Sequence, residues 1–170
     1  NKTGNIGSII VIDNNSSDDS CRNLPKHESL KVVYADQNHG FGKACNIGAK
    51  YSTAPFILFL NPDTVLEKNS IEDTIDFMNL EQSKDIGICG IQLCDIEGKV
   101  SHSCSRFPSV LNQFIRSIGL NKIIPSRGAK MLEFSHLDSM EVDQIMGAFF
   151  MIRRDLFIEN NGFDEQFFVY

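Results

Sequence analysis

A chain of 170 residues with 42% apolar side chains is long enough for one domain with its own core and too short for two ordinary ones. Its net charge of −6 argues against nucleic acid as the main partner, because phosphate backbones are bound through clustered Lys and Arg. No apolar stretch approaches the roughly 18 residues of a membrane helix, and five scattered cysteines (21, 45, 89, 94 and 104) read as reduced thiols of a cytoplasmic protein.

In chain order, the first strand is expected over 8–12, running into the polar stretch Asp13-Asn14-Asn15-Ser16-Ser17-Asp18. A weak helix over 18–24 is closed by Pro25, and a second strand over 31–35 ends at Asp36-Gln37-Asn38. Residues 41–51 read as a helix, with Phe41, Ala44, Cys45, Ile47 and Gly48 spaced for one buried face. The apolar run Phe56-Ile57-Leu58-Phe59-Leu60 can only be a buried strand, and 67–80 reads as a helix with Ile71, Ile75, Phe77 and Met78 inward. Asn69 and Ser70 sit near its first turn, where they can cap.

Farther on, a strand is expected over 86–93, then a hairpin turn at 95–99 with Gly98 in a left-handed position. A helix over 107–120, a mixed loop over 121–141, a strand over 141–152 and a short helix over 153–159 stopped by Gly162 complete the chain. Strand and helix alternate through the first half, which predicts parallel strands joined by right-handed crossovers. The fold class is therefore α/β, with a mostly parallel central sheet flanked by helices in a single domain over 1–170. The polar start and the apolar end Phe167-Phe168-Val169-Tyr170 read as cut at both ends.

Three constellations carry chemistry. The strands 8–12 and 56–60 both deliver Asp and Asn at their carboxyl ends, where open α/β sheets bind ligands, and so are expected at one sheet edge. Asp63, stiffened by Pro62, suits a divalent cation on a diphosphate, since Mg and Mn take carboxylate, phosphate and water oxygens. The same residue also suits an Asx-turn before Thr64. Asp13 and Asn15 can bond a base or a ribose, or the run can cap the next helix. Gly40 and Gly42 allow close backbone approach, and the helix behind them offers N–H groups to phosphate. This stretch is neither a dinucleotide fingerprint nor a P-loop; Lys43 could help neutralise phosphate but reads more readily as a solvated helix lysine, and His39 as a loop residue. Cys89, Cys94, His102 and Cys104 lack zinc-knuckle spacing.

Taken together, Val11-Ile12-Asp13-Asn14-Asn15-Ser16-Ser17-Asp18, then Asn38-x-Gly40-Phe41-Gly42 with Asn46 and Gly48, then Phe59-Leu60-Asn61-Pro62-Asp63 resemble the family 2 glycosyltransferases. The likeness is closest to rhamnosyltransferase-like members. It continues through Gly147-Ala148-Phe149-Phe150-Met151-Ile152-Arg153-Arg154 and Gly162-Phe163-Asp164-Glu165-x-Phe167-Phe168, so it covers nearly the whole chain.

The resemblance implies a GT-A fold and transfer of a sugar, with inversion, from a nucleotide-diphosphate donor. Asp13 and Asn15 would then contact the nucleotide, Asn38, Gly40, Phe41, Asn46 and Asn61 would line the nucleotide-sugar pocket, and Asp63 would bind Mn or Mg. Many relatives have Asp where this chain has Asn61, although Asn-Pro-Asp recurs in the rhamnosyltransferase-like subset. Relatives also begin with an earlier strand and carry a Glu-Asp pair after the aromatic run. One of those carboxylates is the expected general base, so no catalytic residue is assigned here, and Asp164 and Glu165 belong to a different turn. The implied partners are a nucleotide-sugar donor and a saccharide or lipid-linked acceptor of polysaccharide biosynthesis. The implied place is the cytoplasm, with peripheral association at the inner face of the membrane. A non-catalytic nucleotide- or partner-binding module of the same fold is the second reading. A sugar-nucleotide-forming nucleotidyltransferase would want an N-terminal Gly-rich loop with Arg and Lys, which is absent.

Overall fold

The structure, a computed structural model, describes residues 7–107, 109, 110, 117, 131 and 137–169. Along the chain the described elements are β1 (Ile9–Asp13), a 3-10 turn (Ser20–Asn23), β2 (Leu30–Tyr34), α1 (Phe41–Ala49), β3 (Phe56–Leu60) and α2 (Ser70–Asn79). A second 3-10 turn (Glu81–Ser83) follows, then β4 (Ile88–Cys89), β5 (Leu93–Cys94), β6 (Val100–Ser101), β7 (Cys104–Ser105), β8 (Gln144–Ile145), β9 (Phe149–Arg153) and α3 (Arg154–Glu159). Among the described residues the strands pair as β1-β2, β3-β9-β4, β5-β6 and β7-β8. β1 and β3 therefore belong to different hydrogen-bonded ladders, where the sequence suggested one sheet edge. The chain divides into two compact units, one of 7–58, 71–87 and 152–169, the other of 59–70 and the described part of 88–151.

In the first unit β1 and β2 run parallel, with Ile9 opposite Leu30 and Asp13 opposite Tyr34. Their runs of Ile and Val suit a pleated, half-buried surface. The helix expected over 18–24 is only a 3-10 turn. Asp18 takes the Ser20 hydroxyl at 2.6 Å and its amide at 3.1 Å, and these two bonds hold the Asp18 carboxyl below its ordinary pKa. Leu24, the residue before Pro25, is extended at ψ 142°, as proline requires of its predecessor. α1 packs on β1 through Gly48, where an added Cβ would stand 3.3 Å from Ile12 Cγ1.

α2 starts three positions later than expected. Asn69 sits at φ +67°, a left-handed conformation that no helix interior accepts, so the helix opens at Ser70. Its buried residues are Thr74 and Met78, one turn apart on one face. Arg153 ties the end of this helix to the segment after it. Its guanidinium donates to the carbonyls of Met78 at 2.7 Å, Ser83 at 3.1 Å and Ile86 at 2.9 Å. α3 closes with Asn161 and Gly162 both left-handed, Gly162 donating to the Phe157 carbonyl at 2.9 Å, so Gly162 is the stop the sequence implied.

In the second unit the hairpin at 95–99 forms as read. Leu93 faces Ser101, Cys94 faces Val100, and Gly98 takes φ +79°. Asp95 Oδ1 accepts the amides of Glu97 and Lys99 at 3.0 and 2.9 Å, which fixes the turn. The strand expected over 86–93 is instead two short ones. They separate at Gly90, where a Cβ would lie 3.2 Å from Ile145. The strand expected over 141–152 is likewise divided into β8 and β9. Between them Met146 donates to the Ser103 carbonyl at 2.9 Å. β7 and β8 pair antiparallel, Cys104 opposite Ile145. Phe149 and Met151 on β9 are almost fully buried, each 1% exposed. The helix expected over 107–120 and the loop over 121–141 lie mostly outside the described residues.

Candidate functional site

Parallel pairing puts the last residues of β1 and β2, Asp13 and Tyr34, side by side at the carboxyl ends of the strands. Asp13 is 9% exposed, and its Oδ1 accepts the Ser16 amide at 2.8 Å. Asn15, at φ +65°, provides the left-handed residue that lets the chain turn back here, a conformation Asn tolerates better than most. Asp13, Asn15, Ser16, Arg22, Tyr34 and Ala35 line a cavity of about 450 Å³. That volume falls in the range of small-molecule sites.

The run 13–18 therefore serves turn and cavity together. One oxygen of Asp13 holds the turn, and Oδ2 has no hydrogen-bond partner among the described residues. That oxygen is accessible from the cavity and can accept an N–H or O–H brought by a ligand. The Tyr34 ring, 57% exposed, offers an aromatic face to a flat group. Arg22 pairs with Asp19 at 2.8 Å in an exposed contact, a weak tie from which a ligand can draw the guanidinium. The sequence reading passed over Arg22 and Tyr34. The register between β1 and β2 was the signal that could have found Tyr34.

The stretch 38–46 is arranged differently from the expected phosphate cradle. Gly40, at φ +81°, does make a close backbone approach, but to the Phe168 carbonyl of the same chain, into which a Cβ would run. The Phe41 amide donates to that carbonyl at 2.9 Å, so this helix amide, expected free for phosphate, is occupied. Gly42 lies against Phe163, and the Phe41 and Phe163 rings stand 6.1 Å apart. Asn38 Oδ1 accepts the Gly40 amide at 2.9 Å. Asn46 is buried; it accepts the Phe163 amide at 2.9 Å and donates to the Phe163 carbonyl at 2.9 Å and to Glu165 at 3.1 Å. The side chains of Asn38 and Asn46 thus hold chain segments in place around the loop and α1. Next to Asn46, burial pushes the Cys45 thiol up to about 11, which keeps it protonated and unreactive at neutral pH.

The second unit carries Asn61 and Asp63. Residues 61–64 form a turn closed by the Thr64 amide on the Asn61 carbonyl at 3.1 Å, with Pro62 in the position that favours its fixed φ. Asn61 is held by its amide on the Ala148 carbonyl at 3.2 Å. Asp63 is exposed, and its carboxylate makes no hydrogen bond or ion pair among the described residues, so it does not close an Asx-turn. No group of three His, Cys, Asp or Glu side chains is placed to cage a metal among the described residues. A lone, unpaired carboxylate fits the kind of divalent-ion site in which substrate phosphates and water supply the other ligands.

The profile of Glycosyl transferase family 2 matches residues 6–160. The chain belongs to this family. It is 27% identical over 170 residues to the low-salt glycan biosynthesis hexosyltransferase Agl10 of Haloferax volcanii, covering 97% of this chain and 50% of that protein. It is 32% identical over 143 residues to the rhamnosyltransferase WbbL of Escherichia coli K12, covering 78% of this chain and 50% of that protein. The chain thus spans about half the length of these curated relatives. Among solved structures it resembles S. aureus TarS 1-349, with a TM-score of 0.56 at 17% identity, over 94% of this chain and 41% of that one. The fold is the α/β GT-A type.

Proposed function

We propose that the protein is an inverting glycosyltransferase that moves a sugar from a nucleoside-diphosphate donor to a saccharide or lipid-linked acceptor. The observation that carries this reading is the Asp13 carboxylate, 9% exposed and with one oxygen free of partners among the described residues, lining a cavity of about 450 Å³ beside Tyr34. Membership of the family and likeness to a named hexosyltransferase and a named rhamnosyltransferase support it, and the latter makes rhamnose the first donor sugar to test. In the reaction the acceptor hydroxyl attacks the anomeric carbon, the bond from that carbon to the diphosphate oxygen breaks, and the hydroxyl proton passes to a base. Asp13 and Asn15 hold the nucleoside and Asn61 the donor, while the loop 38–41 and Asn46 keep the pocket's wall in place. Asp63 is the ligand for Mn²⁺ or Mg²⁺, which when bound offsets the charge of the departing diphosphate. The setting is polysaccharide assembly on the cytoplasmic side, with peripheral attachment to the inner face of the membrane. No helix among the described residues is long and apolar enough to cross one.

The test is release of nucleoside diphosphate by the full-length protein from a panel of nucleotide sugars, dTDP-rhamnose included, with Mn²⁺ and a membrane glycolipid extract as acceptor. One donor is expected to turn over, at a rate cut at least a hundredfold by EDTA and restored by added Mn²⁺. Nucleotide binding without turnover of any donor would favour a non-catalytic module of the same fold.

A further inference from the structure

Asn14 does not line the cavity, although Asp13 and Asn15 on either side of it do. Its carboxamide instead reaches the loop before α1. Oδ1 accepts the His39 amide at 2.9 Å, and Nδ2 donates to Asn38 Oδ1 at 2.9 Å and to the Gly40 carbonyl at 3.2 Å. Asn38 Oδ1 also accepts the Gly40 amide at 2.9 Å, which closes a ring of bonds between the end of β1 and residues 38–40. The backbone groups of His39 and Gly40 leave one way round for the carboxamide. The N–H must meet the oxygen and the carbonyl must meet the nitrogen. The same loop is held from its other side by Phe168, through the Phe41 amide and the close approach at Gly40.

We infer that Asn14 is a positioning residue for donor binding, one that fixes the Asp13 carboxylate at the cavity by locking the peptide after it to the 38–40 loop. The inference rests on the nucleotide reading of that cavity. Asp13 is anchored as the last residue of β1 and by its carbonyl on the Ala35 amide at 2.8 Å, but its side chain has a single bond, to the Ser16 amide, and the chain past it enters a turn in which Asn15 is left-handed. Such a turn has neighbouring backbone arrangements available to it. The bonds of Asn14 remove them, because rotating residue 14 would break all its contacts to the loop at once.

Asn14→Asp is the discriminating variant. It keeps the size and the acceptor for His39, yet it sets a carboxylate oxygen against the two acceptors that Nδ2 now serves. The full-length protein is titrated calorimetrically with UDP, dTDP and GDP, each with Mn²⁺, and affinity is read separately from the number of sites. Asn14→Asp is expected to weaken the best-binding nucleotide at least tenfold while the number of sites stays near one. Asn38→Ala, which opens the ring from the other side, is expected to weaken it to a similar degree and decides the matter should Asn14→Asp not fold. Fewer sites at unchanged affinity would mean that Asn14 merely supports folding, and would overturn the inference. Unchanged affinity in Asn14→Asp beside a large loss in Asp13→Asn would overturn it too, while leaving the nucleotide reading standing. Full affinity in Asp13→Asn, or no nucleotide bound by the parent protein, would remove that reading and this inference with it.

Discussion

Replacing Arg153 with methionine is expected to lower the unfolding free energy by about 3 kcal/mol. The guanidinium is the common partner of the Met78, Ser83 and Ile86 carbonyls, and it lies 5.4 Å from the centre of the Phe56 ring. Met78 and Ser83 are 0% and 1% exposed, so water cannot readily replace the lost donor. Helix ends leave their last carbonyls without partners inside the helix, and here a side chain from a distant strand supplies the donors. Methionine keeps much of the apolar stem and removes every donor. Lysine should recover only part of the loss, since one ammonium cannot match the planar fork of arginine. Urea unfolding followed by circular dichroism measures the change; a loss below about 1 kcal/mol for Arg153→Met would show that the clamp contributes little.

Asp63→Asn is expected to reduce sugar transfer by a factor of roughly 10² to 10³, the usual scale when one electrostatic contact to a developing charge is removed. The substitution preserves shape and deletes the charge that a divalent ion requires. Because the carboxylate is exposed and bonded to nothing among the described residues, the melting temperature should hold within about 1 °C, in line with surface substitutions of this kind. Turnover and thermal unfolding, measured on the same preparation, separate the two effects. Transfer at the parent rate in Asp63→Asn would take Asp63 out of the mechanism.

Features governed by local rules were legible in the sequence. The strand ending at Asp13, the hairpin whose Asp95 takes its own turn amides, and the stop at Gly162 each depend on residues only a few positions apart. The breaks within 86–93 and 141–152 were not legible, because apolar runs look continuous until a distant side chain is known to press on them. Gly90 faces Ile145, and Gly87 faces Leu156, across separations that periodicity does not encode.

The site divides along the same line. Asp13 and Asn15 stood out because a polar run closing a buried strand marks the ligand end of a sheet. Gly40 and Asn46 looked like ligand groups for sound reasons, yet their nearest partners come from the far end of the chain, 117 residues away in the case of Asn46 and Phe163. A small residue needed for close approach looks the same in sequence whether the approaching group is a phosphate or a carbonyl of the protein itself. Arg22 and Tyr34 reach the cavity only through the pairing of β1 with β2.

A crystal structure of the full-length protein with the tightest-binding nucleoside diphosphate and Mn²⁺ tests the account most directly. The base is predicted to occupy the cavity beside Tyr34 and to donate an N–H to Asp13 Oδ2 at about 2.8 Å, the distance usual for a bond to a carboxylate. A nucleotide bound elsewhere, with Asp13 untouched, would contradict it.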